Sequence, residues 1–91
     1  MNDEILFTRH ARVILKERKF TVEFIKDIVL NPDYKETNDD ELWSAIKKVG
    51  QKVMRVVVKG EQKPYTVITM YYDRKLRKAM MAEKRRIQNE S

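Results

Sequence analysis

Apolar positions fall at two different spacings along this chain. Between Thr8 and Leu30 they recur at three- and four-residue steps, the period of an amphipathic helix. Thr8 offers an N-cap for a helix running to about Arg18, with Ala11, Ile14 and Leu15 on one face. Thr21 caps a second helix whose stripe is Val22, Ile25, Ile28 and Val29, widened by Phe24. Asn31-Pro32-Asp33 ends it, because proline lacks a donor and disfavours a helical residue before it. Ahead of both helices, Ile5-Leu6-Phe7 is a short apolar run that reads as an edge strand or an N-terminal anchor.

From Tyr34 the pattern becomes that of strands. Leu42 to Val49, Lys52 to Lys59 and Tyr65 to Tyr72 are rich in Val, Ile, Thr and Tyr, and short turns at Gly50-Gln51 and Gly60–Pro64 separate them. Such spacing predicts an antiparallel meander, with Tyr34-Lys35 as a candidate fourth short strand. Alternation puts Val53, Arg55, Val57 and Lys59 on one face of the middle strand and Met54, Val56 and Val58 on the other. On the last strand it groups Tyr65, Val67, Thr69 and Tyr71, with Tyr72 opposite. Asp73 caps a final helix with a narrow stripe of Leu76, Met80 and Ile87. The expected architecture is α+β: two N-terminal helices packed on a curved antiparallel sheet of three to four strands, over residues 1–72. Residues 73–91 form a C-terminal basic helix and tail.

Composition narrows the function. The 91 residues suffice for one domain, and 42% hydrophobic with 37% charged residues is enough for a core, which excludes a disordered tail. No apolar run approaches the roughly 20 residues of a membrane span. The start, Met1-Asn2-Asp3-Glu4, is acidic where a secretory signal is basic, so the expected compartment is the cytoplasm. Without cysteine there is no disulfide framework, thiol nucleophile or cysteine-held zinc, and His10 alone cannot make a histidine metal cluster. No metal or cofactor is expected. The net charge of +6 is unevenly spread: residues 8–19 and 73–91 each carry +4, residues 44–72 carry +5, and residues 31–43 carry −4. Basic segments that fold together make an anion-binding face; kept apart, they are a solvated surface.

The run Thr8-Arg9-His10-Ala11, then Arg18, the helix ending Leu30-Asn31-Pro32-Asp33, and the strands Arg55-Val56-Val57-Val58 and Val67-Ile68-Thr69-Met70-Tyr71 occur in a distinctive order. Together they resemble a family of small prokaryotic domains opening with a His-Ala-x-x-Arg helix, similar to the BrnT and RelE/ParE-like toxins of type II toxin–antitoxin systems. The resemblance covers about residues 5–72. It implies a RelE-like fold, cleavage of RNA without a metal, and a small antitoxin as partner. Ile14 stands where the pattern carries an arginine, so any contact made there is lost or supplied by Arg12.

Metal-free RNA cleavage needs a base for the 2′-hydroxyl, cations for the phosphorane and an acid for the leaving oxygen. His10 suits the base or acid; its bland reading is a structural histidine near a helix start. Arg55 interrupts an apolar face and needs a partner, as a site cation or as a margin arginine reaching water. Tyr71 stacks on a base, serves as acid, or simply packs. These three are the catalytic candidates. Arg9, Arg12, Arg18, Lys47, Lys48, Arg74 and Lys75 are the candidates for binding nucleic acid, with Lys47 and Lys48 on opposite strand faces, so that at most one joins Arg55. The runs Arg74-Lys75-x-Arg77-Lys78 and Lys84-Arg85-Arg86 grip a backbone, meet a partner or merely solvate. Trp43 belongs to the core or an interface. Asp39-Asp40-Glu41 reads as a solvated acidic turn. Two functions follow: a toxin-like ribonuclease, or a non-enzymatic module holding nucleic acid or protein on the same surface.

Overall fold

The computed structural model describes residues 5–79. Its elements are β1 (Ile5–Phe7), α1 (Arg9–Arg18), α2 (Val22–Leu30), β2 (Tyr34–Thr37), β3 (Leu42–Val49), β4 (Lys52–Lys59) and β5 (Tyr65–Tyr72). A third helical stretch covers residues 74–79. The sheet has five strands in the order β1-β5-β4-β3-β2. No helix among the described residues is long and apolar enough to cross a membrane.

The helices begin and end as their sequences dictate. Thr8 and Thr21 each accept a bond from a backbone N–H three residues on, Ala11 and Phe24 respectively. Lys19 closes α1 in the left-handed region at φ 59°. Ala11, Leu15, Ile25, Ile28 and Val29 then bury one face of the helical pair on one face of the sheet, against Ala45, Met54, Val56, Val58 and Val67. α1 lies over β1 and β5, α2 over β3 and β4.

The three-to-four-stranded, wholly antiparallel, RelE-like sheet expected from the sequence is corrected here to a five-stranded mixed one. β2–β3–β4–β5 is antiparallel, but β1 joins the far edge parallel to β5, pairing Ile5, Leu6 and Phe7 with Tyr65, Thr66 and Val67. Three residues are too few to show a period, and their partners lie sixty residues away, so no local pattern announces this pairing. The C-terminal helix is described only over 74–79; Met80, Met81, Lys84, Arg85, Arg86 and Ile87 lie outside the described residues.

A second correction concerns β5. Val58 pairs with Val67, yet Val57 pairs with Thr69, so Ile68 is an extra residue and the strand bulges. A bulge inverts the alternation beyond it. Val67 therefore faces α1 and α2, whereas Thr69 and Tyr71 turn to the opposite face, away from the group that simple alternation assigned them.

Candidate nucleic-acid interface

The face of the sheet opposite α1 and α2 is where the chemistry collects. Cross-strand partners share a face, so register alone assembles two rows. One runs Tyr34, Ile46, Arg55, Tyr71 and the other Glu36, Ser44, Val57, Thr69. Lys48, two residues along β3 from Ile46, lies on this face, while Lys47 lies on the other; the register decides what the sequence left open.

Arg55 spans most of this face. Its Nε donates to Asp73 Oδ2 at 2.9 Å and its Nη1 to Glu36 Oε1 at 2.7 Å. Because β3 lies between β4 and β2, the Arg55–Glu36 bridge crosses β3. That crossing helps to bury Ile46 and Ser44 on the face opposite α1 and α2. The two carboxylates differ in kind. Asp73 is 15% exposed and Glu36 54%, against 13% for the guanidinium. Burial works against the charge on Arg55, but the bonds to Glu36 and Asp73 outweigh it and raise its pKa. The Asp73 carboxyl is held below its ordinary range, first by the Leu76 N–H, with burial opposing and Arg55 assisting. Asp73 is thus both the cap of helix 74–79 and the inner partner of Arg55. The Ser44 hydroxyl is buried and has no hydrogen-bond partner among the described residues.

The bulge also sets His10. Val67 and Ile68, at the bulge, offer their carbonyls to Thr8, the first to its N–H at 3.1 Å and the second to its hydroxyl at 3.2 Å. This pins the start of α1 to the β5 edge just where β1 ends. The next turn then carries His10 to Thr69, with Nε2 and Oγ1 3.3 Å apart. Thr69 and Tyr71 are alternate residues of one strand, so these two positions lie about 7 Å apart along it. His10 thus meets the β5 end of the Val57–Thr69 row, while Tyr71 is the cross-strand partner of Arg55 in the next row.

Beside them opens a basic cleft of about 750 Å³. Arg18 from α1, Lys52 from β4, and Arg74, Arg77 and Lys78 from the last helical stretch line it, together with Tyr71, Tyr72 and Asp73. The Lys52 ammonium sits over the Tyr72 ring, 4.7 Å from its centroid, and Arg77 Nε donates to the Gln51 carbonyl. Tyr71, 45% exposed, belongs to both the cleft and the Arg55 row.

The other expected binding residues are scattered. Arg9 and Arg12 are exposed on α1, and Arg12 borders a separate groove near Leu6 and Val22. Lys47 is tied to the end of α2, donating to the Asn31 carbonyl at 2.9 Å and lying 3.6 Å from Asp27. Lys48 is exposed at the hairpin end, and Lys75 is exposed outside the cleft lining. Trp43 is a core residue: it donates to the Gly60 carbonyl at 2.9 Å, meets Tyr65 edge-on, and has Lys35 over its ring. Sequence reasoning passed over Lys52, Tyr72, Glu36 and Ser44 as site residues. Only a known register brings them in, because each is unremarkable within its own strand.

Residues 7–72 match a family described as a domain of unknown function, DUF4258. No curated protein and no solved structure matches the sequence.

Proposed function

The chain belongs to the DUF4258 family, and on that premise we propose that it binds single-stranded RNA in the basic cleft, with Tyr71 as a stacking platform at its mouth. The observation carrying this reading is the convergence of five cations from three separate segments on two tyrosines. Cations tracking a backbone beside an exposed aromatic ring are the combination that holds unpaired nucleotides. Tyr71→Ala removes the ring without touching the cations. It is expected to weaken binding of a labelled single-stranded RNA about tenfold. Unchanged affinity would overturn the assignment of Tyr71.

A second reading, cleavage of that RNA in the manner of the toxins the sequence resembles, is favoured by His10. Its exposed imidazole stands on the same edge as Tyr71. As a base it takes the 2′-hydroxyl proton. The 2′-oxygen then attacks phosphorus, the 5′-oxygen departs with a proton from an acid such as Tyr71, and a 2′,3′-cyclic phosphate remains. Arg55, already bound to two carboxylates, serves here to position Tyr71's row more than to stand as a free cation. In this reading a small antitoxin occupies the basic cleft. RNA incubated with the protein in chelator is expected to acquire cyclic-phosphate ends, and His10→Ala to abolish them. Intact RNA with the wild-type protein leaves the binding module as the function.

A further inference from the structure

Arg55 is poised between two unequal partners. Asp73 holds Nε from a nearly buried position and is fixed in turn by the Leu76 N–H. Glu36 holds Nη1 from an edge strand whose four residues are all exposed. An exposed carboxylate on an arginine is weakly bound, because water screens the pair and the long side chain gives up rotamer freedom to make it. The inner bond orients the guanidinium; the outer bond merely occupies it.

We propose that Nη1 of Arg55 is a phosphate-binding position and that Glu36 is its built-in competitor, displaced when a phosphate arrives. This deepens the RNA-binding reading and rests on it for the ligand class, a phosphodiester of the strand held in the adjoining cleft. Guanidinium and phosphate suit each other for the same reason that guanidinium and carboxylate do: planar donors meet paired oxygens. Tyr71, directly opposite Arg55 on β5, and Asp73, the partner of Nε, both line the cleft, so a strand leaving it across β4 runs onto the face that carries Nη1.

The structure also supplies a place for the displaced carboxylate. Ser44, 1% exposed, stands directly opposite Glu36 on β3, and its buried hydroxyl has no partner among the described residues. A buried donor left unsatisfied is costly, and such groups are few in folded proteins. Directly opposed residues have their Cβ atoms about 5 Å apart, within reach of a hydroxyl-to-carboxylate bond. Glu36 therefore has two stations: on Arg55, with Ser44 unpaired, and on Ser44, with Arg55 Nη1 open. Phosphate selects the second.

The test follows the Arg55 Nε–H signal by nuclear magnetic resonance while inorganic phosphate is added at constant ionic strength. Glu36→Gln keeps the shape and removes the competing charge. Its midpoint is expected to fall up to about fivefold below that of the wild type, the scale of one half-exposed ion pair. Ser44→Ala deletes the parking donor. It is expected to raise the midpoint while leaving thermal stability equal or higher, since the hydroxyl has no partner among the described residues. Equal midpoints in all three proteins, or an Arg55 signal that phosphate never moves, would overturn the proposal. The RNA reading fails separately: Glu36→Gln can tighten phosphate while cleft variants leave RNA affinity unchanged, which would retain the gate and discard the cleft.

Discussion

At the scale of single residues, the Arg55–Asp73 pair matters most to the fold. Removing one partner of a nearly buried ion pair strands the other, whereas removing an exposed partner costs little. Arg55→Ala is therefore expected to destabilise the protein by about 3 kcal/mol in urea titration, and Glu36→Ala by well under half of that. Asp73 adds a pH dependence whose sign is fixed by its lowered pKa. Its stabilisation is complete above the ordinary value near 3.8 and is lost as pH falls through the lower folded-state value. Arg55 stays charged across that range. Asp73→Asn keeps a capping side chain and loses the charge, so the variant is expected to show a shallower acid-side loss of stability than the wild type; identical acid limbs would refute this coupling. The partners of Arg55 could not be read from the sequence. That it needs a partner was legible, because a cation interrupts a β-branched face, but Glu36 and Asp73 reach it only through the register of four strands.

At the scale of elements, the two N-caps make a matched comparison. Thr21 bonds one N–H at an exposed site, whereas Thr8 bonds Ala11 and also donates to Ile68 at a half-buried one. Thr21→Ala is expected to cost about 1 kcal/mol, the usual worth of a cap, and Thr8→Ala about twice that, measured by thermal or urea unfolding. Equal losses would mean that the bulge contact contributes nothing. The caps themselves, the end of α2 at Pro32, and β3, β4 and β5 with both their turns were all legible, since each rests on local chemistry. Ile5–Phe7 reads as an edge strand or an anchor, but its parallel pairing with β5 was not legible, and neither was the bulge. A three-residue strand carries no period, and one extra residue in β5 is invisible until its partner strand is laid beside it. The bulge was the more consequential loss, because it turns Thr69 and Tyr71 toward Arg55.

At the scale of the whole molecule, the basic segments among the described residues do not fold into one continuous face. Arg18, Lys52, Arg74, Arg77 and Lys78 converge, while Arg12 and Lys47 are directed to other parts of the surface. The uneven charge along the chain showed that a basic face was available, and only the β5–β4 register and the turn into residues 74–79 decide which cations form it. A strand held by those five releases their counterions, so its affinity should fall with salt at a logarithmic slope of about −3.5. The most direct test of RNA binding in this cleft is that slope, for single-stranded RNA with the wild-type protein and with Lys52→Glu/Arg74→Glu, after confirming that both are folded. The account predicts weaker binding by the variant and a slope reduced to about −2. An unchanged slope and affinity would contradict it and put the RNA elsewhere.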